Sequence, residues 1–396
     1  MRSCGVGALA LVVLLGGCAQ ESGDGAVPRA TEEVPHGYVE GAEEMPEPQS
    51  RLVLADGGTG TVHVLDLLTE QTTAVARVED VRGVTGDGRF AYVTAGAGGL
   101  HVIDSGAWAV DHGDHFHYYR TAARDLGAVA ERPSYAAADT ATITDTAATA
   151  DTATTAVRTG DGTITLLDRA RMEQGELVEA GEIENAAAVL PYRGHLLVAE
   201  GGAVRVEGGA GVGACVDAAG TAVTRRGVIF GCADGALLVT EKDGAFEGVK
   251  IRYPHKTPAS DRATAFRHRP GSSTMAAKAG DSGTWVLDVA ARTWKLLRTG
   301  PVVAVTAVGE DAPVLTLTED GVLRAHDPAS GKEIAGTKLL AEPLTGSPDI
   351  QVDTGRAYVN DPAGKAVYEI DYNDDLRRAR TFRPGFAPTY MTETGR

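Results

Sequence analysis

One short motif recurs eight times along the chain: a glycine, a run of alternating apolar residues, then an acidic residue. It reads GTVHVLD at 60–66, GLHVID at 99–104, GTITLLD at 162–168 and GAVRVE at 202–207. It returns as GALLVTE at 235–241, GTWVLD at 283–288, GVLRAHD at 321–327 and GKAVYEID at 364–371. Period-two alternation bounded by glycine marks strands joined by tight turns. A repeat of roughly 40 residues, each holding about four short strands, is the spacing of β-propeller blades. The chain therefore reads as all-β, a single propeller of eight blades, or seven if the short fourth unit is half a blade. Some 340 residues exceed what one hydrophobic core usually organises, on the order of 250–300; stacked blades avoid that limit by building small cores between neighbours. The acidic residues that close the motif are read as turn formers, because a carboxylate can accept hydrogen bonds from its own turn. His63, His101 and His326 lie inside such strands and are read as packed or channel-lining.

Two units are stretched. In the second, an insertion expected over 111–129 carries HGDHFHYY at 112–119. In the third, residues 136–156 are almost entirely Ala, Thr and Asp, which reads as a worn strand joined to a low-complexity loop.

The insertion is the chemically distinctive segment. Three of the ten histidines, His112, His115 and His117, fall within six positions, with Asp114 between them. Imidazole is the commonest side-chain ligand for zinc and its neighbours, and aspartate adds an oxygen donor. In an extended segment His115 and His117 project from one face, and Gly113 permits a turn that folds His112 back toward them. The bland alternative is a polar surface loop with a chance cluster.

The N-terminus reads as an export signal. Arg2 precedes an apolar run over 6–15, and Leu15-Gly16-Gly17-Cys18 closes it like a bacterial lipobox. Residues 1–17 are thus expected to be a lipoprotein signal peptide, with Cys18 lipid-modified and the protein tethered to the outer face of the cytoplasmic membrane. Residues 18–50, rich in Gly, Glu and Pro, are expected to form a flexible tether; within it, residues 38–41 are the stretch expected to dock. The propeller then spans 51–396. Removing Cys4 and Cys18 leaves Cys215 and Cys232, which an exported protein would join in a disulfide; metal-binding thiolates are the alternative. A formal charge of −17 argues against nucleic acid and anionic lipid as partners. No Ser/His/Asp set or nucleophile motif is legible, so the chain is not read as an enzyme.

Several segments resemble one family. These are HGYVEGAEE at 36–44, QSRLV at 49–53, VDHGDHFHYY at 110–119, FGCADGA at 230–236 and VNDPAG at 359–364. The chain is similar there to the AztD-like zinc metallochaperones, exported propeller proteins that accompany a zinc ABC transporter. The resemblance runs from about residue 36 to the C-terminus. It implies a monomeric protein that holds Zn(II) outside the cytoplasm and delivers it to the solute-binding subunit of the importer. It also implies His112, His115 and His117 as metal ligands, Asp114 as a ligand or a group orienting an imidazole, and Cys215–Cys232 as a disulfide. Where the family tends to carry further histidines, this chain reads Val216 to Gly220 and Pro133 to Ala136. Asp217, Tyr135, His36 or water are then the groups left to complete the shell. The reading from another class is a surface propeller scaffold with no metal role.

Overall fold

The computed structural model describes residues 39–96, 99–112, 115–129, 142–144, 154–158 and 163–396. The strand Arg51–Ala55 shows how the chain is built: all five residues are buried. Successive side chains of a strand point to opposite faces. Leu52 and Leu54 therefore enter a cluster with Tyr358, Val367 and Phe382, while Val53 and Ala55 enter another with Val81, Ala91 and Val93. A strand packed on both faces reads as an unbroken apolar run, and each fully buried Leu or Val stabilises the fold by about 1.5–3 kcal/mol.

The same sheet holds, in order, Tyr390–Thr394, Arg51–Ala55, Thr61–Asp66 and Thr72–Arg77. The last strand of the chain thus pairs with the first strand of the repeat, Leu52 opposite Glu393, and closes the series. The second sheet comprises Val81–Gly86, Phe90–Ala95, Leu100–Asp104 and Arg124–Val129. The fourth begins at Ala188–Tyr192, the fifth at Thr221–Thr224, the seventh at Val302–Ala307 and the eighth at Ile350–Val352. The sixth has three strands, Thr274–Ala279, Gly283–Asp288 and Thr293–Leu297, and an Arg267–Ala276 bridge adds a fourth row. Eight sheets of this kind succeed one another among the described residues. Apolar clusters join each sheet to the next around the series, first to second, second to third, and on through the eighth back to the first.

All eight glycine-led motifs fall on the third row of their sheets. Their acidic ends behave as turn formers: Asp66 accepts from Leu68 N at 3.0 Å, Asp288 from Ala291 N at 2.8 Å and Asp371 from Asn373 N at 3.1 Å. The short fourth unit is a full four-stranded sheet. In the third, Thr142–Thr144 pairs with Thr154–Arg158, so part of the Ala/Thr/Asp run does serve as strand; residues 130–141 and 145–153 lie outside the described set. No described helix is long and apolar enough to cross a membrane.

Two expected boundaries move. The insertion in the second unit is the hairpin Ala107–Asp111 and Phe116–Arg120, and Arg124–Val129 belongs to the sheet itself, Arg124 lying opposite Asp104. Charge fixes that edge, because Arg124 ion-pairs with the buried Asp104 at 2.7 Å. Regular structure also begins before residue 50, where the tether was expected to end. Glu43–Met45 forms a strand on the hairpin, Glu43 opposite Arg120 and Met45 opposite Tyr118, and belongs to the same compact unit as the sheets, Val39–Arg396. The signal 1–17 and Cys18 lie outside the described residues.

Candidate metal centre

The histidine hairpin stands on a buried polar base. Asp104, fully enclosed, takes Arg89 at 3.1 Å and Arg124 at 2.7 Å and accepts from Gly106 N at 2.9 Å. Arg89 lies 3.7 Å over the Trp108 ring, and Trp108 stacks on Tyr119 at 5.3 Å. Arg51 donates to the carbonyls of Ser105 and Thr121 at the two feet of the hairpin, at 2.5 and 3.2 Å. Gly106 turns the chain with φ +71, and a Cβ there would sit 2.6 Å from Thr121 O. A side chain at that point would wedge the feet apart.

Above the base, pairing of Val110 with His117 and Trp108 with Tyr119 sorts the side chains into two faces. His112, His115, His117 and Tyr119 share one; Asp111, Phe116, Tyr118 and Arg120 share the other. The tip closes with His112 N donating to His115 O at 3.0 Å. The three imidazoles gather as a result: ring centroids are 5.2 Å apart for His112 and His115, 5.0 Å for His112 and His117, and 4.9 Å for His115 and His117. His115 Nε2 lies 3.0 Å from His117 Nε2.

A residue the sequence reading did not single out completes the arrangement. Glu44, from the strand Glu43–Met45, places Oε1 2.6 Å from His117 Nδ1. A carboxylate only accepts, so the His117 Nδ1–H donates and the neutral ring keeps its lone pair on Nε2, the atom that faces the other histidines. This is the carboxylate–imidazole pairing that stands behind metal-binding histidines in zinc proteins. Burial, and next the Glu44 charge, push the Tyr119 phenol above its ordinary value. The signal for Glu44 was its place in the HGYVEGAEE stretch, but nothing in that polar run showed which carboxylate would face the hairpin.

A tetrahedral ion sets the spacing that its donors must meet. With Zn–N bonds of about 2.0–2.1 Å, two ligating nitrogens sit roughly 3.3 Å apart, close to the His115–His117 separation. His112 is stacked on His115 with an interplanar angle of 11°, so its ring must turn to present a nitrogen to the same point. Consistent with that, no three His, Cys, Asp or Glu side chains among the described residues are arranged to hold a metal ion. The residue types and their proximity suit a zinc ion, while the ring directions, with His115 and His117 hydrogen-bonded through their Nε2 atoms, are those of a metal-free cluster. Asp114 and Gly113 lie outside the described residues, as do His36 and Tyr135.

The other candidates are engaged elsewhere. Asp217 pairs with Arg262 at 3.1 Å. His63 stacks on Phe386 at 4.0 Å, His101 lies 2.5 Å from Asp125, and His326 lies 3.0 Å from Thr316 Oγ1, as expected of packed histidines. Cys215 and Cys232 form a disulfide. It joins the end of the fourth sheet to the strand Gly227–Cys232 of the fifth, so it links two sheets rather than two rows of one. The hairpin itself reaches the fifth sheet, where Arg225 in the first turn lies 4.0 Å from Asp111.

No protein-family model and no curated protein matches the chain. Among solved structures it is similar to AztD from Citrobacter koseri, with a TM-score of 0.71 and 18% identity over 88% of this chain and 99% of that one. The structure of apo AztD from the same organism gives 0.70 and 18%, covering 88% and 98%. Dihydro-heme d1 dehydrogenase NirN gives 0.56 and 15%, covering 88% of this chain and 76% of the other. At these identities the likeness is one of fold, and the chain has an AztD-like fold.

Proposed function

We propose that the protein is an extracytoplasmic zinc-binding metallochaperone, which holds Zn(II) on the histidine hairpin and passes it to the solute-binding subunit of a zinc ABC importer. One observation carries the reading: three imidazoles share one face of the hairpin tip, and a carboxylate from a separate strand fixes the tautomer of His117. The AztD-like fold supports it. His112, His115 and His117 are the proposed ligands, and Asp114, between His112 and His115 in the sequence, is the next proposed donor. Three neutral nitrogens leave a fourth position through which an acceptor protein can take the ion by ligand exchange. The ligands must be deprotonated to bind, so acid favours release. Export and the lipid anchor at Cys18 belong to the same proposal, and so does a binding rather than catalytic role.

The test is a competitive zinc titration of the purified protein and of the triple variant His112→Ala, His115→Ala, His117→Ala. The variant is expected to lose at least one equivalent of tight zinc. Unchanged stoichiometry would sink the proposal. The scaffold reading has its own support in Phe116, 47% exposed and stacked beside Tyr118 at 6.1 Å. Under that reading zinc leaves the melting temperature where it was.

A further inference from the structure

We infer that Glu44 is a positioning residue for the metal site, and that the N-terminal strand carrying it sets how tightly the hairpin holds its ion. The inference rests on the zinc reading above and extends it to a segment outside the histidine cluster. Glu44 belongs to a strand of only three residues, Glu43–Met45, at the edge of the small sheet whose central row is Phe116–Arg120. It lies opposite Tyr119, on the imidazole face, and reaches diagonally to His117. Its neighbour Glu43 points the other way and pairs with Arg120 at 2.8 Å. The two carboxylates therefore divide the work: Glu43 fastens the strand, and Glu44 acts on the site.

The physical consequence runs through one proton. While Glu44 is in place, the His117 proton is held on Nδ1 and the Nε2 lone pair faces His115 and His112. When the strand lifts, the ring is free to take the other tautomer, whose Nε2–H cannot ligate. Partners of this kind change metal affinity by about 10–100-fold. By reciprocity, bound zinc must hold the strand down by the same factor. A strand this short is the least anchored part of the sheet, because its main-chain contacts reach only Tyr118, Tyr119 and Arg120. Displacing it offers the acceptor protein a way to loosen the ion without unfolding the hairpin.

The experiment compares full-length wild type with Glu44→Ala, Glu44→Gln and Glu43→Ala, by chelator competition for zinc and by long-range 1H–15N NMR of the histidine rings without metal. Glu44→Ala is expected to weaken zinc binding about 10–100-fold and to release His117 from the Nδ1–H tautomer. Glu44→Gln, which keeps an acceptor oxygen but no charge, is expected to lie between. Glu43→Ala, which loosens the strand through an exposed ion pair alone, is expected to weaken zinc binding by less than about fivefold and to leave His117 mainly in the Nδ1–H tautomer. A Glu44→Ala affinity within about twofold of wild type overturns the inference. So does a Glu43→Ala loss as large as that of Glu44→Ala, since the carboxylate would then matter only for docking the strand. The metal-free NMR arm reads the hold on His117 whether or not zinc binds, which separates this inference from the zinc reading itself.

Discussion

The base and the tip of the histidine hairpin lie within a few residues of each other and are held by opposite means. At the base, the fully buried Asp104 takes both Arg89 and Arg124, and the Trp108 ring contacts both Arg89 and Tyr119. At the tip, the contacts among His112, His115 and His117 join ring edges and faces, and the carboxylate from outside comes from a three-residue strand. Buried charges in a low-dielectric setting tolerate little displacement, because each is costly once unpaired. Imidazoles at a partly exposed tip can turn at small cost. The difference bears on the proposed site: a rigid foot fixes where the three imidazoles stand, and a soft tip leaves their directions adjustable.

The largest expected effect therefore lies at the base. Asp104→Asn removes the charge that satisfies two arginines and is expected to lower unfolding free energy by about 3–5 kcal/mol, read by urea denaturation. A loss below about 1 kcal/mol would mean that the base is no firmer than the tip. Next comes the Cys215–Cys232 staple, which closes a loop of 17 residues between the fourth and fifth sheets. Reduction, or the double Cys→Ala variant, is expected to cost about 3 kcal/mol while leaving zinc affinity within about twofold. If zinc binding failed with the disulfide, the tip would depend on distant sheets, and the Asp111–Arg225 contact would be the route.

The propeller was legible because its information is local and repeated. Glycine-led alternation marks the third row of every sheet, and the acidic ends of Asp66, Asp288 and Asp371 do what short-range turn chemistry says they should. The cluster of His115 and His117 on one face was legible for the same reason, since strand alternation alone dictates it. What could not be read is long-range. Glu44 meets His117 across 73 residues, and Glu43, Glu44, Glu32 and Glu33 look alike in a polar stretch. The hairpin boundary was misplaced because 124–129 contains too few apolar residues to announce a strand; its place is set by Arg124 meeting Asp104, a contact between charges that periodicity does not register. Asp104 itself looked like one more turn-forming aspartate, and only the fold shows two arginines converging on it.

A pH effect separates the frame from the site on different grounds. His268, whose Nε2–H donates to Val223 O at 3.1 Å, has its imidazole pushed down to about 4 by burial, with Arg396, Arg267 and Arg269 adding to the effect. The folded form thus keeps this ring neutral, while the unfolded chain takes up a proton near pH 6.5. Stability from this group is fully present above about 6.5 and is lost as pH falls toward 4. Relative to His268→Gln, wild type is expected to lose stability across that window, checked by urea midpoints at several pH values. Parallel curves for the two proteins would remove His268 from the account. Glu393 opposes it: burial raises its carboxyl to about 7, so its contribution is present at low pH and fades as pH rises from about 4.5 to 7. The contrast is therefore read in the His268 difference, not in the raw acid curve.

The smallest expected stability change belongs to the tip, and it bears most directly on the comparison. Replacing His112, His115 and His117 with alanine removes three rings from one face of a three-stranded sheet, and only His117 among them is buried. The lost contacts include ring edges, the His115–His117 hydrogen bond and the bond to the half-exposed Glu44 carboxylate, all at a partly exposed tip, so the unfolding free energy of the metal-free protein is expected to fall by about 1 kcal/mol. With zinc present the ranking reverses: wild type should gain stability in proportion to free zinc over its dissociation constant, and the triple variant should gain none. A variant that loses several kcal/mol without metal would show the histidines to be structural, with the tip as firmly built as the base. A variant still stabilised by zinc would place the ion elsewhere in the molecule.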